Sequence, residues 1–414
     1  MNKIKKIAVS LCFVLIFCIV LNASATVFER KNSAHNYSDF WEQPEEYDIW
    51  FMGTSHVFYA IQPMELWNQY GIRAFDLAAP SSQMPQTYWT MMCALQYSQP
   101  RVIVLDTYKL HIDVKHQQDR VPHSGMDRIP FSITKVKGIC DIFETWEERF
   151  EYLCKFSIYH NRWEELKESD FIINRSITKG ARFKNKMIDR SDYQQIPKED
   201  MSDTNTVGFQ YLKKIIEECQ RRKIELILID LPFCSDKKQQ QAINATSKIA
   251  EEYHVTFLNL AYEEGLIDYK VDFGDESHVN LFGAKKLTQY IGDYLSRKYD
   301  LMDYRELSEI AEKWNHEWKQ YSKLKLQKMR KSQKIKRYIQ WLTDDSYVCY
   351  MYQKRKPKEQ LAKGLAQLKN ITYISRQQME QKMGAKIRGE FVFFVEDKNG
   401  GLLDIAVFEK GERQ

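Results

Sequence analysis

Tyr47-Asp48-Ile49-Trp50-Phe51-Met52-Gly53-Thr54-Ser55-His56-Val57 is the stretch that decides the fold. Residues 49–52 are apolar without interruption and run into Gly53. An apolar run halted by Gly reads as a buried strand ending in a sharp turn. Ser55 then sits at the carboxyl end of a strand and just before a helix, where open α/β sheets hold their ligands. Two readings of Thr54-Ser55 stand side by side. One is a hydroxyl placed for chemistry; the other is a cap for the following helix, since both residue types are good N-caps.

Outward from this stretch the pattern repeats. Residues 63–70 read as a helix opened by Pro63 and closed by Gly71. Residues 72–77 are a second strand, 78–85 a loop of small residues and Pro, 86–96 a helix, and 102–106 a third strand. Strand and helix in alternation give a parallel, doubly wound sheet. Strands apolar throughout suit a sheet covered on both faces. Residues 107–204 break the alternation with charge and aromatics, and are expected to form a mainly helical insertion over the carboxyl edge of the sheet. Alternation resumes with a helix at 207–222, a strand at 224–230, a helix at 236–253, a strand at 255–260 and a helix at 281–297. The expected fold class is therefore α/β: a three-layer α/β/α sandwich with a five-stranded parallel sheet across residues 27–300.

A second anchor lies at residues 272–283, Asp-Phe-Gly-Asp-Glu-Ser-His-Val-Asn-Leu-Phe-Gly, between the last strand and the last helix. Asp275 and His278 are three apart at a helix start, so one carboxylate can reach the imidazole from the same turn. A nucleophilic Ser needs a general base, and the base needs an orienting carboxylate. Ser55, His278 and Asp275 fill these roles, with Asp272 as a rival orienter. The alternative for His278 is a helix-capping or surface histidine.

Gly53-Thr54-Ser55-His56 after the first strand, with Asp275-x-x-His278 before the last helix, resembles the SGNH (GDSL-like) hydrolase superfamily over roughly residues 45–300. The resemblance implies a catalytic Ser55, His278 and Asp275. The departures from the family pattern concern the oxyanion hole. Thr54 stands where the family has Asp. In place of the family's second-block Gly the chain has Leu77-Ala78-Ala79-Pro80-Ser81-Ser82-Gln83, where Ala78 or Ala79 could offer a backbone N–H and Ser81 or Ser82 a hydroxyl. The Gly-x-Asn block is absent, and the third strand ends in Asp106-Thr107-Tyr108. The oxyanion candidates are Ser55, Ala79 and Ser82; loss of one donor typically costs ~100–1,000-fold in rate.

The Gly-Thr-Ser-His block, the N-terminal segment and the long insertion are also similar to proteins that acylate surface polysaccharides, such as the D-alanine transfer protein of teichoic acids and the periplasmic alginate acetylation proteins. These commonly work beside a membrane-bound O-acyltransferase. The resemblance implies an esterase or O-acyltransferase acting on acyl groups, acetyl for example, of an envelope polymer, with neither cofactor nor metal. The other reading it leaves open is an inactive polymer-binding or assembly partner of a membrane acyltransferase.

The rest of the chain sets the context. Its 414 residues are 43% hydrophobic and 13% aromatic, which excludes a disordered chain, and a net charge of +5 does not argue for nucleic acid. Three lysines in residues 1–6, an apolar run at 7–21 and Ala23-Ser24-Ala25 describe a secretory signal peptide or uncleaved signal anchor over 1–26. The run is short for a membrane span, which needs ~20 residues. The expected location is extracytoplasmic, either secreted or on the outer face of the membrane. Beyond Cys12 and Cys18, six cysteines remain without a C-x-x-C pattern; disulfides are permitted, and Cys93 and Cys219 read as core residues.

Within the insertion, His160, Arg162 and Trp163 form a candidate substrate cluster, and His123 and Arg128 lie in a second polar–aromatic stretch. The alternative is a surface helix whose Trp163 packs inward. His56 either contacts substrate or packs at the mouth of the site. Residues 301–340 read as a charged helical connector with eight basic and no acidic residues between 323 and 337, a solvated face or a contact for anionic headgroups or polymer. Residues 341–414 read as a small α+β accessory domain, with Asn399-Gly400 as a hairpin turn.

Overall fold

Along β1 (Ile49–Gly53) the side chains alternate between two cores: Ile49 and Phe51 join one, Trp50 and Met52 the other. Both sets are apolar, so the strand is buried on each side and packs in the middle of a sheet. The computed structural model describes residues 3–29, 38–42, 46–116, 123–171 and 177–414. Ahead of β1 lie α1 (Lys3–Glu29) and the short α2 (Ser38–Glu42), whose Phe40 and Trp41 pack into the core beside Trp50.

The chain then gives α3 (Ser55–Ala60), α4 (Pro63–Tyr70), β2 (Ala74–Ala78), α5 (Met84–Ala94) and β3 (Val102–Asp106). The insertion contributes α6 (His123–Met126), α7 (Ile133–Ile142), α8 (Trp146–Leu153) and α9 (Phe156–Tyr159). Next come α10 (Val207–Arg222), β4 (Glu225–Asp230), α11 (Lys237–Glu252), β5 (Thr256–Asn259) and α12 (Leu281–Lys298). The five strands form one parallel sheet in the order β2-β1-β3-β4-β5. Helices α5 and α10 cover one face, and α3 and α12 the other, giving three layers. The chain reverses its direction of travel between β1 and β3, so the crevice outside those two strand ends is the switch point of the sheet.

The insertion is helical only in its first part. Residues 177–206 hold no helix; they run as an irregular strap with one isolated bridge, Ile188 to Phe273. Residues 301–340, expected as a charged helical connector, are likewise not one continuous helix. The segment breaks at residues 331–334 into α13 (Ser308–Arg330) and α14 (Ile335–Trp341). Trp314 and Tyr321 of α13 belong to the same core as Trp50, because the apolar stripe of this helix faces the sheet layer.

The C-terminal unit adds β6 (Tyr347–Gln353), α15 (Glu359–Ala366), β7 (Ile371–Tyr373), α16 (Arg376–Met383), β8 (Phe391–Asp397), β9 (Leu402–Glu409) and β10 (Glu412–Arg413). Its mixed sheet runs β10-β9-β8-β6-β7. At the β8–β9 turn, Asp397 accepts the N–H groups of Asn399 and Gly401, and Gly400 has φ +82°. Its core is continuous with the α/β unit through Met187, Val271, Leu281 and Phe282.

Helix α1 is 27 residues long, about 40 Å at 1.5 Å per residue, and among its described side chains large apolar ones such as Ile4, Leu11, Phe13, Phe17 and Val20 are exposed. Residues 3–25 are long and apolar enough to cross a membrane, as a signal sequence also would be. Residues 1–2 of the expected signal segment lie outside the described residues. Cys12, Cys93, Cys140, Cys154, Cys219, Cys234 and Cys349 are free, and Cys93 and Cys219 are buried in the core.

Candidate active site

Gly53 ends β1 with φ +141°, and a Cβ there would lie 2.6 Å from Asp106 Cβ. Only glycine lets the end of β1 approach the end of β3 this closely. Thr54 follows as N-cap of α3: its hydroxyl donates to Asp106 Oδ2 (3.0 Å) and accepts from the His56 N–H (3.2 Å). The Val57 N–H bonds to the Thr54 carbonyl (3.2 Å). Thr54 thus occupies the next two amides of the first turn and leaves the Ser55 N–H at the helix start for another acceptor. Capping is the work of Thr54, and Ser55 Oγ is directed elsewhere, to His278 Nε2 at 2.7 Å.

The loop carrying His278 is pinned by Asn280, the N-cap of α12. Its Oδ1 accepts from the N–H groups of Phe282 and Gly283, while its Nδ2 donates to the carbonyls of Val271 and Phe273. Within the loop Asp275 Oδ1 accepts three bonds, from the N–H of Ser277 (3.0 Å), the N–H of His278 (2.9 Å) and His278 Nδ1 (2.8 Å). With Nδ1–H donated to Asp275, Nε2 is the acceptor facing the Ser55 hydroxyl. Asp272 does not reach His278. It is fully buried and receives the Asp268 N–H, Lys286 Nζ and Gln367 Nε2, so it holds the base of the loop.

Lys184, on the irregular strap, caps this relay. Its Nζ pairs with Asp275 Oδ2, lies 3.4 Å from His278 Nδ1, and sits 4.6 Å from the centre of the Tyr59 ring. Burial and then the Lys184 charge push the His278 pKa down to about 4. The carboxylate of Asp275 pulls the other way. The imidazole is therefore neutral, and able to take a proton, across the neutral range. Were His278 to act as a general base for Ser55, the acid limb of kcat/KM for p-nitrophenyl acetate would be expected near pH 4. Lys184→Met removes a positive charge and should move that limb upward. A limb at the ordinary histidine value of 6.5 in both proteins would contradict this electrostatic account.

No family model matches the chain, and no curated protein matches it. Among solved structures, one match is a protein from Desulfitobacterium hafniense DCB-2 assigned to the G-D-S-L lipolytic family. It aligns with 60% of this chain and 100% of its own, at 12% identity and a TM-score of 0.30.

The other residues singled out from the sequence have different surroundings. The Ala79 N–H donates to the Gly53 carbonyl (3.2 Å), and Ser82 Oγ is bonded to Thr87 Oγ1 (3.1 Å) beneath the loop. The Ala79 amide thus ties the loop to the end of β1, and the Ser82 hydroxyl ties it to α5. His56 is 4% exposed, with its ring 4.2 Å from Tyr108, 4.4 Å from Phe233 and 5.5 Å from His278. Burial, then His278 and Lys109, hold its pKa well below the usual value, so it is a neutral aromatic wall behind the base.

His160, Arg162 and Trp163 cluster elsewhere, in a region that packs against α1. His160 bonds the Ser157 carbonyl, Arg162 bonds Asp170 and the Phe28 carbonyl, and Trp163 is 64% exposed rather than packed inward. None of their contacts among the described residues is with Ser55, Asp275 or His278. His123 stacks on Tyr152 and bonds Asp127 inside the insertion core, and Arg128 lies close enough to Arg182 for their charges to interact.

Two carboxyls lie buried at the carboxyl ends of β3 and β4. Burial raises Asp106 to about 7, against hydrogen bonds from Thr54 and Tyr108, and raises Asp230 well above the usual range, with Asp106 adding to the effect. Between the unfolded value of 3.8 and about 7 the folded state binds more protons, so stability falls as pH rises through that window. For Asp106 the full effect is about 4 kcal/mol. Asp106→Asn keeps an acceptor for Thr54 and should stabilise the protein at pH 8 by roughly 1–4 kcal/mol while flattening the slope between pH 4 and 7. Denaturant unfolding at pH 4, 6 and 8 checks this; an unchanged slope would show that Asp106 is not the group responsible.

Proposed function

We propose that the chain is an extracytoplasmic serine esterase or O-acyltransferase of the SGNH kind, acting on acyl groups of a cell-envelope polysaccharide. The observation that carries the reading is the Ser55–His278–Asp275 relay at the switch point of a parallel sheet. Ser55 Oγ attacks the acyl carbonyl carbon as its proton passes to His278 Nε2, and Asp275 stabilises the imidazolium. Collapse of the tetrahedral adduct returns that proton to the leaving alcohol and leaves an acyl-Ser55. Water or a sugar hydroxyl then gives its proton to His278 and resolves the ester, which is hydrolysis in one case and transfer in the other. The Ser55 N–H is the oxyanion donor in this scheme. The exposed apolar α1 supports tethering at a membrane surface.

The test is fluorophosphonate labelling and p-nitrophenyl acetate turnover by residues 27–414, compared with Ser55→Ala. Equal signal in both removes the enzyme reading.

A second reading is a non-catalytic assembly partner of a membrane-bound O-acyltransferase. The engaged Ala79 amide and Ser82 hydroxyl favour it, as does the Lys184 ammonium competing for Asp275. On that reading, co-purification with the acyltransferase survives Ser55→Ala and no labelling is seen in either protein.

A further inference from the structure

Helix α1 changes character along its length. From Lys3 to Val20 its described residues are exposed, whereas Leu21 and Phe28 are half-buried and Ala25 is buried. The covered end packs on α9 and on two 3₁₀ turns of the insertion, His160–Glu165 and Glu168–Phe171. The Phe28 ring lies 5.9 Å from that of Phe156. The Phe28 carbonyl accepts from Arg162, and Asp170 holds Arg162 through an ion pair of 2.8 Å. The last turns of α1 are thus fastened to the insertion, and the rest of the helix stands free.

The length of the free part sets the depth of what is fastened. From Ile7 to Ala25 the helix measures about 28 Å at 1.5 Å per residue, against a membrane hydrocarbon core of ~30 Å. Across such a core, Lys3, Lys5 and Lys6 lie in one headgroup layer and Ala25 at the edge of the other. The two turns that clasp Ala25 and Phe28 are then held at headgroup depth. Each of them carries a large side chain left open: Trp163 is 64% exposed and Phe171 61%. Aromatic rings, Trp above all, are enriched at this depth, where an apolar ring and a polar edge both find a partner. Attraction to anionic headgroups is not the cause. Residues 160–171 hold Glu164, Glu165, Glu168 and Asp170 against Arg162 and Lys167, and Arg162 is engaged.

We propose that Trp163 and Phe171 seat in the headgroup layer of the membrane that α1 spans, and so fix how the α/β unit stands over the lipid surface. The proposal rests on α1 acting as an anchor, and the experiment reads the two separately. The full chain is reconstituted into phosphatidylcholine vesicles that include a phosphatidylcholine with a diazirine high on one acyl chain. After irradiation, lipid adducts are mapped by mass spectrometry. Adducts on residues 3–25 report the anchor, and adducts on residues 160–171 report the proposed contact. Both are expected, with no requirement for anionic lipid. Trp163→Ser combined with Phe171→Ser should lower the yield on 160–171 roughly fivefold, the loss of two interfacial rings, and leave that on 3–25 unchanged. Both side chains are mostly exposed, so the fold is not at stake. Adducts on 3–25 without adducts on 160–171 overturn the proposal while the anchor stands. Adducts on neither segment remove both. An unchanged yield on 160–171 in the double variant also overturns the proposal.

Discussion

Ser55→Ala is expected to lower acetyl-ester turnover by about 10⁴- to 10⁶-fold and to abolish fluorophosphonate labelling. The size follows from the geometry: Ser55 Oγ is the hydroxyl at 2.7 Å from the imidazole, and no other hydroxyl is bonded to His278 among the described residues. His278→Ala should cost a similar factor, because an alkoxide is not generated near neutral pH without a base. The double variant should be no slower than either single one, since residues that act as a unit are grossly non-additive. Stability should barely change in Ser55→Ala, because Thr54 makes the cap of α3 and Ser55 does not. A double variant that loses the product of the two single factors would mean that the two side chains act independently, and the relay would have to be abandoned.

Asp275→Asn should be nearly as damaging, about 10⁴-fold in kcat, with the fold intact. An amide at position 275 can present its NH₂ to Nδ1, which favours the tautomer that puts a proton on Nε2 and leaves Ser55 without an acceptor. Asp275 is part-exposed and hydrogen-bonds within its own turn, so the substitution is mild structurally. Asp272→Asn should do the reverse. It breaks a fully buried carboxylate's pairing with Lys286 and should lower stability by about 1–3 kcal/mol, with little change in turnover per folded molecule. Comparing kcat with the unfolding midpoint for the two variants separates the roles. If Asp272→Asn also loses catalysis while remaining folded, the orienting carboxylate has been misassigned.

What could be read in advance follows physical lines. Three strands of the parallel sheet, β1, β3 and β4, are short apolar runs closed by Gly or Asp, and apolar pattern with Pro and Gly punctuation gives β3, α4 and α10 to the residue. Ser55, Asp275 and His278 were legible because each stands beside a turn signal, Gly53 or Asn280, that positions it. Lys184 was not legible: it lies on an irregular strap without period or motif, and its neighbours come from residues about ninety positions away. Tyr108 and Phe233 as walls around His56 were also hidden, since aromatic packing leaves no spacing in the sequence. The surroundings of the 77–83 loop are not legible, because a backbone N–H looks available in any sequence and only the folded chain shows that Ala79 donates to Gly53. Residues 301–340 read as a charged connector because their charges mask a stripe, Trp314, Tyr321 and Met329, that is buried.

The C-terminal unit clasps the histidine loop from behind. Gln367 bonds Asp272, Gln340 bonds the carbonyls of Asn185 and Lys186 next to Lys184, and Phe282 shares a core with β6 and β8. Residues 335–414 are therefore a buttress and not a detachable appendage. A proteolytic nick or frameshift there would slacken the imidazole's footing while leaving the nucleophile's own strand untouched.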